Sequence, residues 1–107
     1  MHEPFTRRVV AIIKQIPPGK VLTYGLIAKL AGNPRGARQI SRILHSLSEK
    51  ERLPWHRVVN ATGNIVLASE LEKDEQASLL AAEGIVVDDD LHVDLKRYLW
   101  QDIDLKI

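Results

Sequence analysis

The chain has 107 residues, 45% hydrophobic and 27% charged, with a formal net charge of +1; this is the size and balance of one compact domain, expected here over 1–107. No run approaches the ~18 apolar residues of a membrane span, and the absence of cysteine excludes disulfides, thiolate metal ligands and a cysteine nucleophile. Met1 to Phe5 lacks the charged-then-apolar pattern of a signal peptide, so the protein is expected inside the cell, cytoplasmic and nucleoid-associated in a bacterium or nuclear in a eukaryote.

Phe5, Val9, Ile12, Ile13 and Ile16 recur at three-to-four residue spacing between basic residues, the pattern of an amphipathic helix. Pro17-Pro18-Gly19 ends it. Thr23 can cap a short helix through about Ala31, with Gly32 suited to its left-handed terminus. Asn33-Pro34 reads as the cap and first turn of another helix, running to about Leu47 and burying Ile40, Ile43, Leu44 and Leu47. Ser48 to Arg52 reads as a charged loop, Leu53 to Val59 as extended chain, and Ala61 to Asn64 as a turn. Ser69 and Glu72 form a capping box for a helix through about Glu83, stopped by Gly84. Residues 85–93 suit a small hairpin around Asp88-Asp89-Asp90. Leu95, Tyr98, Leu99 and Trp100 are apolar enough to pack the tail onto the body.

Two short helices joined at a glycine turn, the second rich in arginine, form a helix-turn-helix pattern. Arg35, Arg38 and Arg42 are expected along one exposed stripe of that second helix. The charge is uneven. Up to Val59 there are eleven basic residues against three acids, and from Asn60 onward four against eleven, about +8 and −7. A polyanion would meet the first half and be repelled by the second; the other reading is that the halves pair with each other.

The run Pro54-Trp55-His56-Arg57-Val58-Val59 resembles the active-site motif of O6-alkylguanine-DNA alkyltransferases, Pro-Cys-His-Arg-Val. Gly19 to Gly25 and Ala31 to Arg38 resemble that family's helix-turn-helix, and Leu79 to Gly84 its final helix. The likeness covers roughly residues 5 to 85, in order, and corresponds to the transferases' DNA-binding domain. Trp55 stands where those enzymes carry the acceptor cysteine. An indole N–H is a donor only, so it cannot accept an alkyl group. The chain in this respect is similar to the alkyltransferase-like proteins, which bind the lesion and direct it to nucleotide excision repair.

The resemblance implies an α+β, mainly helical, winged-helix-like DNA-binding domain whose partners are duplex DNA carrying O6-alkylguanine and nucleotide-excision-repair proteins. It also implies docking in the minor groove, where sequence pattern alone points to the major one. Arg38 matches an arginine finger that fills the space of an extruded nucleotide, and Tyr24 a tyrosine that crowds the adjacent phosphate. Arg35 and Arg42 are assigned to DNA contact. Trp55, Tyr24, Ala68 and Ser69 are assigned to the lesion pocket. Ala68-Ser69 falls where transferases carry Asn-Tyr, which makes the pocket roomier. His56 and Glu83 match a pair that ionises the cysteine, and with no thiol to activate they are expected to be structural, as is Arg57. An asparagine that tethers the transferases' recognition helix is replaced by Leu47.

His2, His45, His56 and His92 lack ligand spacing, and no Gly-rich phosphate loop occurs, so neither metal nor cofactor is expected. A monomer without a membrane partner is expected. The rival readings are a helix-turn-helix transcription regulator reading undamaged DNA, and a glycosylase using His56 or Glu83.

Overall fold

The computed structural model describes residues 3–105; His2 lies outside them. The chain opens with helix α1 (Pro4–Gln15), which starts on a proline whose missing N–H costs nothing in a first turn. It buries Val9, Val10, Ile12 and Ile13, the inner side of the stripe seen in the sequence. Strand β1 (Leu22–Thr23) leads directly into α2 (Tyr24–Leu30). The Thr23 hydroxyl accepts the Leu26 N–H at 3.1 Å and caps that helix. Gly32, with φ of 96°, makes the left-handed exit, and α3 (Ala37–Glu51) packs on α2 more extensively than any other pair of elements. The Arg8 Nε donates to the Ala31 carbonyl at 2.8 Å, tying α1 to the end of α2.

After α3 comes a single 3-10 turn (Trp55–Arg57), strand β2 (Val58–Val59), α4 (Glu70–Ala82) and a short α5 (Leu95–Tyr98). β1 and β2 pair in parallel, Leu22 with Val58 and Thr23 with Val59. Alternate residues of this ribbon face opposite sides. Leu22 and Val58 therefore join the helical core of α1, α2 and α3. Val21 and Val59 join a second core with Ile65, Leu80, Ile85, Val93 and Tyr98. The Val21 amide donates to the Tyr98 carbonyl, and the Trp100 amide to the Val21 carbonyl, so the tail does pack on the body. The result is a mainly helical α+β domain with a helix-turn-helix. No helix among the described residues is long and apolar enough to cross a membrane.

Four local expectations are corrected. Asn33-Pro34 does not begin α3. The Asn33 side chain accepts the Arg35 N–H at 3.3 Å and its carbonyl accepts the Gly36 N–H at 2.9 Å, so these residues form a turn and the helix starts at Ala37. Arg35 consequently stands before the helix. Ser48 to Glu51 is helix rather than loop, because no glycine or proline interrupts α3 until Pro54; Arg52 closes it in the left-handed conformation, φ 53°. Leu47 is therefore a buried helix residue. Residues 55–57 are not extended. In a strand, neighbouring side chains point to opposite faces, whereas His56 and Arg57 both reach Glu83, which the tighter turn permits. The predicted hairpin is reduced to one isolated antiparallel bridge, Val87 with Val93; Val93 also binds the carbonyl of Gly63.

Candidate nucleic-acid interface

A cleft of about 1050 Å³ opens between the starts of α2 and α3, the Trp55 turn, the 60–68 loop and α4. Tyr24 and Gly25 line it from α2, and Arg38, Ser41, Arg42 and His45 from successive turns of one α3 face. Trp55, half-buried, forms the inner wall. Val66, Leu67 and Ala68 form an apolar lip, and Glu72, Glu75 and Gln76 close the far side. Burial pushes the Tyr24 phenol up, so it keeps its O–H at neutral pH. The 60–64 turn is shaped by Asn60, whose Oδ1 accepts the N–H groups of Thr62 and Asn64 at 3.1 and 2.8 Å. Gly63 is required there: its φ is 89°, and a Cβ would collide with the Val93 carbonyl.

Behind the Trp55 wall, Glu83 is a hub. It accepts the Arg57 Nε at 3.0 and 3.1 Å, the Arg57 Nη2 at 2.7 Å and the Gly19 amide at 3.0 Å. The His56 Nε2 lies 2.7 Å from Oε2, the oxygen that the Arg57 Nη2 also reaches. Burial raises this carboxyl, but the hydrogen bonds from Arg57 and His56 outweigh it and lower its pKa to about 2. An ionised carboxylate only accepts, so the His56 Nε2 carries the proton. The Arg57 Nη1 also donates to the Ile16 carbonyl at 2.8 Å. Gln76, almost wholly buried, donates its amide to the carbonyls of His56 and Val58 at 3.0 and 2.9 Å. The segment that follows Trp55 is thus held by Glu83 through its side chains and by Gln76 through its backbone.

The charge asymmetry survives folding. Among the described residues the ion pairs are His56 and Arg57 with Glu83, Lys73 with Glu70, and His92 with Asp88. Glu83 alone joins the two halves. Arg35, Arg38 and Arg42 are exposed and have no acidic partner, so the reading in which the halves neutralise each other is set aside.

The structure brings Tyr24, Arg38, Arg42, Trp55 and Ala68 to one cleft. Arg35 sits outside it, in the turn before α3. Ser69 does not line it either; its hydroxyl accepts the Glu72 N–H at 3.1 Å and caps α4. His56, Arg57 and Glu83 lie behind the wall. Four lining residues were not expected at the cleft: Gln76 and Glu75 were not singled out, Glu72 was read only in a capping box, and His45 only as a histidine without ligand spacing. Gln76 left one signal, a polar residue one turn before Leu80 on the buried side of α4. His45 follows Arg38 and Arg42 at helical spacing. No cluster of three or more metal-ligating side chains occurs among the described residues.

Fold and cleft define a small helix-turn-helix domain of the kind that meets nucleic acid, and residues 4–85 match the family model of the 6-O-methylguanine DNA methyltransferase DNA-binding domain. The chain is 48% identical over 100 residues to the DNA base-flipping protein of Escherichia coli, covering 92% of this chain and 76% of that protein. It is 33% identical over 107 residues to alkyltransferase-like protein 1 of Schizosaccharomyces pombe, covering 92% and 96%. The structure of that yeast's Atl1 in complex with damaged DNA containing O6-carboxymethylguanine matches with a TM-score of 0.85 at 32% identity, over 94% of this chain and 99% of that one. The chain belongs to the family of the 6-O-methylguanine DNA methyltransferase DNA-binding domain, with DNA base-flipping and alkyltransferase-like proteins among its relatives.

Proposed function

We propose that the protein is a non-enzymatic sensor of O6-alkylguanine. It docks on duplex DNA from the minor groove, rotates the lesion into the cleft and leaves it for nucleotide excision repair. One observation carries the reading: a cleft walled by Trp55 and flanked by unpaired Arg38 and Arg42, in a chain without cysteine. Flipping a base costs a few kcal/mol of stacking and pairing. Arg38, at the first turn of α3, enters the vacated stack, where its guanidinium can stack and pair with the orphaned base. Tyr24 opens α2 beside it and crowds the neighbouring phosphate. Trp55 offers a flat apolar surface to the flipped base and its alkyl group. Trp55 replaces the acceptor cysteine of the transferases, and Glu83, His56 and Arg57 no longer activate a nucleophile but brace the wall. A protein that binds a lesion without an acceptor leaves it chemically unchanged, so removal falls to other proteins; hence the link to excision repair.

The test is titration of matched duplexes carrying guanine or O6-methylguanine, followed by mass spectrometry of the protein. The lesion duplex is expected to bind on the order of tenfold tighter or more, within the ~1–3 kcal/mol returned by one stacked base. The protein mass is expected to stay unchanged. Equal affinities, a footprint specific to an undamaged sequence, or a mass gain of one methyl group would each overturn the reading.

A further inference from the structure

Two carboxylates in the cleft have no part in the scheme above. Glu72 and Glu75 both line it, exposed and one turn apart on α4. Neither has an ion-pair partner among the described residues. Glu72 stands in the first turn of the helix, where the N-terminal dipole favours negative charge. The cations opposite, Arg38 and Arg42, with His45 a turn further on, all belong to α3. On the lesion-binding reading that face meets the DNA, so docking engages both arginines there, Arg42 against the backbone and Arg38 in the vacated stack. The α4 carboxylates keep their charge, and the lip between them and Trp55, Val66 to Ala68, supplies no compensating cation. An occupied cleft is therefore electronegative on the α4 side.

We propose that Glu72 and Glu75 act as a charge filter on the lesion: the cleft admits neutral and cationic O6 substituents and disfavours anionic ones. The inference rests on the lesion-binding reading and adds the class of adduct. An anionic substituent coming within about 4–6 Å of these carboxylates in a wet cleft would be repelled by about three- to tenfold in affinity. The yeast relative was solved with an anionic carboxymethyl adduct, which makes that adduct the discriminating probe for this chain.

The experiment measures Kd for duplexes differing only at one base: guanine, O6-methylguanine, O6-(2-aminoethyl)guanine and O6-carboxymethylguanine. Wild-type protein is compared with the Glu72→Gln/Glu75→Gln double variant and with Glu75→Gln alone. The quantity read is the carboxymethyl-to-methyl Kd ratio, which cancels the general gain in DNA affinity from removing two negative charges. Wild type is expected to give a ratio of about three to ten, with the aminoethyl adduct bound no more weakly than methyl. The double variant is expected to bring the ratio to about one, and Glu75→Gln to an intermediate value. A wild-type ratio of one, or a ratio unmoved by the substitutions, overturns the filter while a retained preference for methyl over guanine leaves the lesion-binding reading standing. Loss of that preference overturns both.

Discussion

Arg38 is exposed, unpaired and borne on the first turn of α3 at the cleft mouth. Its guanidinium makes no hydrogen bond or ion pair among the described residues, so Arg38→Ala should leave stability unchanged while weakening the lesion complex by ~1–3 kcal/mol, the range for stacking and bidentate base contacts. Arg42→Ala, one turn on, should weaken damaged and undamaged duplexes about equally. Fluorescence anisotropy with both duplexes separates the two; equal losses for Arg38→Ala would remove its assignment as the inserted group. Such residues were legible because their chemistry is local to a motif: Trp55 sits between a proline and a His-Arg pair, and Arg38 on a basic helix start. Gln76 was not. Its role depends on which α4 face meets the His56 and Val58 carbonyls, and that is a tertiary fact. Ser69 was half-legible, since one hydroxyl in that sequence can cap a helix or line a pocket, and only the cap is made.

Glu83 works between elements. From the end of α4 it holds the turn after α1 through Gly19 and the Trp55 turn through His56 and Arg57. Its pKa is lowered from 4.5 to about 2 in the folded state. A depressed carboxyl stabilises above its unfolded value and loses that contribution as pH falls through its folded one. Unfolding free energy should therefore be flat near neutrality for this group and fall by roughly 1–3 kcal/mol between about pH 4.5 and pH 2, the lower figure allowing for solvent screening. Glu83→Gln should remove this dependence and lower neutral-pH stability by a similar amount, since it leaves the Arg57 guanidinium in place without its counter-charge. Urea midpoints across a pH series test this; an unaltered acid limb in the variant would shift the credit to other carboxylates. The helices themselves were readable where local signals agreed: in α1 a hydrophobic stripe ended by Pro17-Pro18-Gly19, in α2 the Thr23 cap with an apolar face, and in α4 the Ser69 cap with the Gly84 stop. The start of α3 was not, because Asn33-Pro34 serves equally well in a turn. The Trp55 turn was not either, because its shape is imposed by the distant Glu83.

For the molecule as a whole, the unneutralised basic half sets the response to salt. On duplex DNA, log K should fall with log salt by about 0.9 for each phosphate neutralised, for lesion and non-lesion DNA alike, while the ratio between them holds. A slope near zero in titrations at graded salt would mean that the arginine face does not touch the backbone. The uneven charge was plain in the sequence, whereas its freedom from internal pairing needed the fold. The parallel β1–β2 ribbon has a further consequence. Thr23 pairs with Val59 and also caps α2, so the Tyr24 side of the cleft and the segment following Trp55 are fastened to one short rigid bracket. On the proposed lesion-binding reading, walls joined in this way favour distortion of the duplex over opening of the cleft. Recognition is then graded by how readily the DNA yields, and a lesion beside a pliable pyrimidine–purine step is engaged at lower cost than the same lesion in a stiff A-tract.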